Sequence, residues 1–278
     1  MQINRLKAAS DGKFRLKKHP PDETFGISKG HAEKSLVRHV AELQDLHELL
    51  YAENKRALLI VLQGMDAAGK DGTIKHVMSG VNPQGCTVTS FKQPSPVELA
   101  HDFLWRIHAA TPAKGSIGIF NRSQYEDVLI ARVHKLVPKP VWEARYAQIN
   151  TFEEMLTDNG VHIVKFFLHL SRDEQERRFE ERLQDKNKNW KASAADFKER
   201  EFRDDYQKAY EDAVAKCSTK YAPWYVIPAD HKWFRNFAAA EIVIQTLQSL
   251  HMKFPKPSKD VASLSSNMLS SSVLSSHA

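Results

Sequence analysis

The chain has 278 residues, of which 42% are hydrophobic, and this is enough for one sizeable α/β domain with an insertion. A formal net charge of +6 favours a polyanionic partner, whether nucleic acid, an anionic membrane surface or a phosphate polymer. The chain has no apolar run near ~18 residues and no signal-peptide core, so we expect a soluble cytoplasmic protein. Cys86 and Cys217 lie far apart and form no CxxC pair, so we expect neither a disulfide framework nor a zinc site.

The first 27 residues predict an irregular basic arm ahead of Pro20-Pro21. Its basic residues are Lys13, Arg15, Lys17 and Lys18. The sequence leaves two interpretations open, a solvated tail or a strap that brings positive charge to an active cleft. From Lys29 to Glu53, apolar residues recur at helical spacing and predict a long amphipathic helix that packs against the rest of the domain.

Residues 57–62 are continuously apolar and predict a strand buried on both faces. The next seven residues, Gly64 to Lys70, match G-x-x-x-x-G-K, the P-loop whose backbone N–H groups wrap a phosphate chain at the start of a helix. Small side chains let phosphate approach this backbone closely. We therefore predict phosphate binding by Gly64, Ala67, Ala68, Gly69, Lys70, Asp71 and Gly72. A chance match is the alternative, and the flanking strand and helical pattern argue against it.

The P-loop departs from its usual pattern at its end, where Asp71 replaces the Ser or Thr that normally holds Mg²⁺. A second acid, Asp66, lies inside the loop. Because a carboxylate repels phosphate unless a cation lies between them, we expect Asp66 to take part in holding a metal ion.

The next segments continue the alternation of strands and helices. Thr87 to Phe91 predicts a short strand, and a capping box at Ser95 begins a helix predicted to reach about His108. Another buried strand, Ile117 to Phe120, ends at Asn121-Arg122-Ser123. Since ligands collect at the carboxyl ends of parallel strands, Arg122 should face the same crevice as Lys70.

A helix around residues 141–157 and a strand from Val161 to Leu170 lead to a second capping box at Ser171. In the helix that follows, Arg178, Arg182 and Lys186 are spaced four apart and share a face. The later basic residues of this segment are Lys188, Lys191, Lys198 and Arg200. We predict a helical hairpin at about 173–215 that closes over phosphates as a lid, and a solvated pair of surface helices remains the alternative.

The chain ends with a short strand at residues 225–227, a helix at 236–250 and a Ser-rich segment at 255–278 that we expect to be a flexible tail. Residues 28–254 thus form one predicted domain. Its alternating elements indicate an α/β fold of P-loop kinase type, with a parallel sheet flanked by helices and a helical lid insertion. Such a site suits phosphoryl transfer, which needs cations and positioning more than covalent help.

Several motifs occur in order along this domain: GMDAAGKDGTIKHVMSGVNPQGC, SFKQPS, HDFLWRIH, IFNRSQYEDVLIARVH, KFFLHLS and APWYVIPAD. With them the chain resembles the polyphosphate kinase 2 family from about residue 13 to 254. The Tyr125-Glu126-Asp127-Val128 form of one motif resembles the branch that phosphorylates AMP and ADP with polyphosphate, giving ADP and ATP.

The resemblance implies roles for individual residues. Asp66 and Lys70 match the family's P-loop residues that hold Mg²⁺, with Mn²⁺ as an alternative, and the transferred phosphates. Arg122 matches a catalytic strand-end arginine, and Arg178 and Arg182 match lid arginines that clamp polyphosphate. The predicted nucleotide-binding residues are Asn121, Tyr125, Glu126 and Asp127. Asn121 lies where some relatives of the family have the Walker B aspartate, a metal-holding acid. Glu126 or Asp127 is the candidate to replace that acid.

Polyphosphate, AMP, ADP and ATP are therefore the expected partners, and the family resemblance also suggests a homo-oligomer. An ADP- or GDP-specific polyphosphate kinase, an ATP-dependent nucleotide or metabolite kinase and a non-catalytic P-loop protein that binds polyanions remain alternatives. We expect no nucleic-acid binding, because the basic residues lack an interleaved run of aromatics.

Overall fold

The structure is a computed structural model that describes residues 3–187, 189–191 and 198–257. Lys188 and residues 192–197 of the predicted lid lie outside the described residues, and so do residues 258–278 of the predicted tail.

The domain is built on a five-stranded, all-parallel sheet with the strand order β2-β3-β1-β4-β5. The strands are β1 (Ala57–Gln63), β2 (Cys86–Ser90), β3 (Ile117–Asn121), β4 (Val161–His169) and β5 (Trp224–Pro228). The central strand β1 is buried along its whole length, as its unbroken apolar run predicts. The predicted parallel α/β sheet is confirmed.

Helices connect the strands and cover both faces of the sheet. They are α1 (Lys29–Glu53), α2 (Lys70–Val77), α3 (Pro96–Leu99), α4 (Trp105–Ala109), α5 (Ile130–Val133), α6 (Lys139–Asp158), α7 (Arg172–Gln184), α8 (Arg203–Cys217) and α9 (Lys232–Ser249). Within the described ranges no helix combines the length and the apolar content that crossing a bilayer requires.

The two faces of the sheet support separate hydrophobic cores. Along β1, Leu58, Ile60 and Leu62 point to the core formed with α1 and α9, whereas Leu59 and Val61 point to the core formed with α6 and α8. This alternation follows from the two-residue period of a strand. Because both faces are covered, only the strand ends remain accessible, and the site must lie there.

The predicted helix from Ser95 to about His108 is wrong, because the chain forms α3 and α4 with a break between them. The capping box at Ser95 is present as predicted. In the break, the Asp102 carboxylate accepts a hydrogen bond from the Leu104 N–H at 2.9 Å. Such a side-chain bond competes with the helical backbone bonds and favours a turn.

Part of the N-terminal arm packs against the domain. Leu6 and Leu16 are buried, and residues 6–8 pair antiparallel with β5 through hydrogen bonds from Ala8 N to Trp224 O and from Val226 N to Leu6 O. The solvated-tail interpretation is therefore wrong for this stretch, because its apolar side chains complete both cores. The strap that brings charge to the cleft stays a prediction.

Candidate active site

The P-loop leaves β1 at the carboxyl edge of the sheet and has the backbone that its small residues predict. A Cβ on Gly64 would lie 2.9 Å from the Leu168 carbonyl oxygen, so only glycine lets β1 approach β4 this closely. Ala67 and Gly69 take positive φ values of 64° and 99°. The loop therefore turns tightly before α2 begins at Lys70, and the N-terminus of α2 lies at the cavity described below.

Lys70 folds back over its own loop. Its Nζ donates a hydrogen bond to the Gly64 carbonyl oxygen at 2.7 Å. Burial lowers the pKa of the Lys70 ammonium, and the nearby Asp66 carboxylate partly opposes this shift. A desolvated ammonium beside the loop amides is placed to bind a phosphate strongly, because little water must be displaced from it.

Arg122 follows β3 and has a φ of 65°, which is unusual for a residue other than glycine. Its Nη2 lies 3.2 Å from Asp66 Oδ1, and its Nη1 lies 3.8 Å from Glu126 Oε2. Burial lowers the pKa of Arg122, but Glu126 and Asp66 outweigh it and the net shift is upward. Burial raises the pKa of Glu126, and Arg122 and Lys70 oppose the rise. The structure thus brings Asp66, Lys70 and Arg122 together, as the sequence predicts.

Arg178 is not an exposed lid arginine. Its side chain is buried, its Nε donates to Glu174 at 2.7 Å and its Nη1 donates to the Ala67 carbonyl oxygen at 2.9 Å. It therefore supports the P-loop from behind, although it also lines the cavity in front of the loop. Arg182, one turn further along α7, lines the same cavity and lies over the Phe179 ring.

Two cavities open at the carboxyl edge of the sheet. The P-loop cavity, of about 990 Å³, is predominantly basic, with Lys70, Lys92, Arg122, Arg178, Arg182, Lys232 and Arg235 against Asp66, Asp71 and Glu181. The remaining residues that line it are Ala67, Gly69, Gly72, Ser90, Phe91, Gln93 and Asn121. Such a field attracts a polyanion.

The lid cavity, of about 240 Å³, lies between the P-loop and the start of α8. It is lined by Gly64, Met65, Asp66, Arg122, Glu126, Ile130, Gln175, Glu199, Arg200, Arg203, Tyr206 and Tyr210. Asp66 and Arg122 line both cavities. A group bound in the lid cavity and a chain bound in the P-loop cavity would therefore meet at this pair.

The chemistry of two carboxylates at the P-loop cavity fits Mg²⁺. Asp66 and Asp71 both line it, and Asn121 Nδ2 donates to Asp71 Oδ1 at 2.9 Å, which fixes that carboxylate. No group of three or more His, Cys, Asp or Glu side chains in the described ranges forms a metal site by itself. Mg²⁺ does not need such a cage, since it commonly takes one or two carboxylates together with substrate phosphates and water.

Two predicted nucleotide-binding residues are placed elsewhere. Tyr125 is fully buried in the core, where its hydroxyl donates to Glu153 at 2.9 Å and its ring packs on Trp224, so its assignment is wrong. Asp127 pairs with Arg145 at 3.1 Å and lies outside the residues that line either cavity. Glu126 lines the lid cavity and Asn121 the P-loop cavity.

Two further residues of the site, Gln175 and Arg235, belong to none of the sequence motifs. Gln175 Nε2 donates to the Asp66 backbone oxygen at 2.8 Å, and Arg203 in turn donates to Gln175 Oε1 and, at 2.7 Å, to Leu170 O. This relay joins α7 and α8 to the P-loop. No motif spacing signals it, because its members come close only when the sheet is assembled.

Comparison with known proteins gives consistent matches over nearly the whole domain. A family model described as polyphosphate kinase 2 matches residues 26–255. The AMP/ADP-polyphosphate phosphotransferase of Meiothermus ruber is 49% identical, covering 92% of this chain and 96% of that protein. The ADP-polyphosphate phosphotransferase of Rhodopseudomonas palustris is 48% identical, covering 92% and 93%. The crystal structure of polyphosphate kinase 2 from Arthrobacter aurescens superposes with a TM-score of 0.91 at 42% identity, covering 96% and 95% of the two chains.

Proposed function

The chain belongs to the polyphosphate kinase 2 family, and from that premise we propose that it transfers a phosphoryl group from inorganic polyphosphate to AMP and ADP. The relatives from Meiothermus ruber and Rhodopseudomonas palustris carry the names of AMP/ADP- and ADP-polyphosphate phosphotransferases. Both names describe the same donor, and they differ in the acceptor.

One observation supports this proposal most directly: the two cavities meet at Asp66 and Arg122. The larger, basic cavity has the charge to hold a polyphosphate chain. The smaller cavity, with Tyr206 and Tyr210 in its wall, provides aromatic surface on which a base could pack. A donor phosphate and an acceptor phosphate would then meet directly, with the Arg122 guanidinium beside them, which is compatible with an in-line displacement.

In the proposed reaction an oxygen of the acceptor phosphate forms a bond to the terminal phosphorus of polyphosphate. The bond between that phosphorus and its bridging oxygen breaks, and the chain leaves one phosphate shorter with the electron pair. An acceptor phosphate is already ionised at neutral pH, so no general base is required. Lys70, Arg122 and the loop amides stabilise the charge that spreads over the transferred oxygens.

Mg²⁺ is part of the proposal, with Asp66 and Asp71 as its protein ligands. When bound, the ion would neutralise part of the charge of the donor phosphates. The family relationship also supports the proposal of a homo-oligomer, which light scattering on the purified protein would measure.

The test is incubation of the purified protein with Mg²⁺, long-chain polyphosphate and either AMP or ADP, without ATP, followed by chromatography of the nucleotides. We expect AMP to be converted to ADP and then to ATP. Use of ADP alone would keep the donor and change the acceptor. Transfer with ATP but none with polyphosphate would identify an ATP-dependent kinase, and binding of polyphosphate without any transfer would identify a binding protein.

A further inference from the structure

Arg235 lies in the first turn of α9 and reaches under the P-loop. Its side chain is buried, with 3% of its surface exposed. Nη1 donates to the Ala68 carbonyl oxygen at 3.0 Å, while Nε and Nη2 donate to Asn236 Oδ1 at 3.2 and 2.9 Å. The guanidinium therefore bridges α9 and the loop.

The loop is shaped around this guanidinium. A Cβ on Gly69 would lie 1.9 Å from Arg235 Nη1, and a Cβ on Gly72 would lie 3.2 Å from Nη2. Only glycine at residue 69 leaves room for the arginine and also adopts the φ of +99° found there. The second glycine of the P-loop motif thus makes room for Arg235, and both residues line the P-loop cavity.

The charge of Arg235 lacks a carboxylate partner among the described residues, because its hydrogen-bond acceptors are a backbone carbonyl and an amide. The neighbouring Arg178 differs, since it pairs with Glu174 at 2.7 Å. Burial, together with the positive charge of Arg178, lowers the pKa of Arg235. A buried cation without a counter-ion is costly for folding, yet Arg235 lines the P-loop cavity, where an anion would supply the missing charge.

Support of the loop alone does not explain this arginine. The Ala68 carbonyl oxygen also accepts a hydrogen bond from Arg178 Nη1 at 3.3 Å, so it would keep a donor without Arg235. A neutral donor could hold Asn236 without the cost of burying a charge. The positive charge itself is the feature that remains to be explained.

We propose that Arg235 is a positioning residue that holds the Ala68–Gly69 turn of the P-loop and whose charge is neutralised by the polyphosphate chain in the P-loop cavity. The inference rests on the proposed function for the identity of the anion. Its consequence is that polyphosphate binding removes an electrostatic penalty present in the free protein. Occupancy of the cavity should therefore stabilise the loop more than the contacts with exposed lysines alone would do.

The test compares Arg235→Gln and Arg235→Lys with the unaltered protein in thermal unfolding, each with and without polyphosphate. Because Arg235→Gln removes an unpaired charge, the free protein should melt at the same temperature or higher. The rise in Tm caused by polyphosphate should shrink, since ligand stabilisation follows affinity. In kinetics we expect the KM for polyphosphate to rise on the order of tenfold, the typical effect of one charged hydrogen bond, with the KM for AMP within about twofold.

Lys232→Gln is the matched control, because it removes one positive charge from the same helix and the same cavity. Lys232 is 56% exposed and has a carboxylate, Glu181, at 3.5 Å. Screening should therefore limit its effect on the polyphosphate KM to about twofold. Arg235→Lys, which keeps the charge, should retain most of the Tm rise caused by polyphosphate.

Three outcomes would overturn the proposal. The first is an Arg235→Gln protein that does not fold, or one that melts at a lower temperature and still shows the full rise in Tm with polyphosphate. The second is equal effects of Arg235→Gln and Lys232→Gln, and the third is equal effects of Arg235→Gln and Arg235→Lys. The Tm measurements need no turnover. If the unaltered protein transfers no phosphate but is stabilised by polyphosphate, the proposed function fails while the role of Arg235 is still decided by its variants.

Discussion

Lys70 concentrates positive charge where the donor phosphate is proposed to lie. Its Nζ is hydrogen-bonded to the Gly64 carbonyl oxygen, and its position at the start of α2 is fixed by the loop. We predict that Lys70→Ala lowers kcat by at least ~10²-fold, the typical effect of removing one group that stabilises transferred charge. Steady-state assays with polyphosphate and AMP measure the effect.

Lys75→Ala is the control for this variant, because Lys75 is an exposed lysine on the same helix and lines neither cavity. It should leave turnover unchanged. Circular dichroism should give the same folded spectrum for both variants. Activity of Lys70→Ala at the level of the control would remove the P-loop assignment.

The burial of His169, at the end of β4, leads us to predict that the protein loses stability in acid. Burial, then the charges of Arg203 and His19, lower the pKa of His169 from 6.5 to about 4. Below pH 6.5 the unfolded chain takes up a proton that the folded chain does not, so the free energy of unfolding falls as the pH falls from about 6.5 to about 4. For the whole shift this amounts to about 3 kcal/mol.

Urea denaturation at pH 7, 6, 5 and 4 measures this dependence, with His169→Gln as the comparison. The variant cannot take up that proton in either state, so its stability should fall less steeply over this range. His19 will contribute to the remaining slope, because its pKa is also lowered, by burial and by Lys18. Identical slopes for the two proteins would rule out His169 as the titrating group.

At the scale of the element, α7 presents two arginines one turn apart with different environments. Arg178 is 6% exposed and its donors are satisfied by Glu174 and by backbone oxygens, among them Ala229 O at 2.6 Å. Removing it leaves the Ala67, Ala229 and Asp230 backbone oxygens without this donor, whereas Glu174 keeps its ion pair with Arg177. We predict that Arg178→Ala lowers the free energy of unfolding by about 3 kcal/mol, because several buried carbonyl oxygens each lose a charged hydrogen-bond donor.

Arg182→Ala should behave in the opposite way. Its side chain is partly exposed at the rim of the P-loop cavity, so its removal should change the stability of the free protein by no more than about 0.5 kcal/mol. The KM for polyphosphate should rise and the KM for AMP should stay the same. Urea denaturation and steady-state kinetics on both variants separate support of the loop from binding of the chain, and a stable Arg178→Ala protein would contradict the distinction.

How far the sequence predicts these elements depends on how local their signals are. The long helix α1 begins and ends where its periodicity places it, at Lys29 and Glu53, because one apolar stripe packs along its whole length. The helix predicted from Ser95 to His108 breaks at an Asp102 side-chain bond, which periodicity does not report. Tyr125 is adjacent in sequence to Glu126, which lines the lid cavity, but the Tyr125 side chain itself is buried in the core.

For the site residues, too, predictability depends on how local the sequence signal is. Asp66, Lys70 and Arg122 were predictable because the P-loop motif and the ends of parallel strands place them at one edge. Arg235 could not be found in this way, because its contact with Ala68 joins residues 167 positions apart in the sequence. A polar pair, Arg235-Asn236, within an otherwise apolar stretch of α9 was the available signal, since buried polar residues need a specific partner.

At the scale of the whole molecule, the N-terminal arm protects one edge of the sheet. Residues 6–8 satisfy backbone groups of β5 that would otherwise be open to pairing with another chain. Leu6 inserts into the core with α1 and α9, whereas the side chain of the adjacent Lys7 is exposed. The arm is thus part of the folded domain, with its anchoring residue and its exposed residue side by side.

This arrangement predicts different effects of two neighbouring substitutions. Leu6→Ala should lower the free energy of unfolding by about 2–4 kcal/mol, because it leaves a cavity in a packed core. It should also increase light scattering on mild heating, since a loosened arm exposes the β5 edge. Lys7→Ala, which keeps the backbone pairing, should change stability by less than about 0.5 kcal/mol. Equal stability of the two variants in urea would mean that the arm leaves the sheet edge in solution, and the edge would then need another cover.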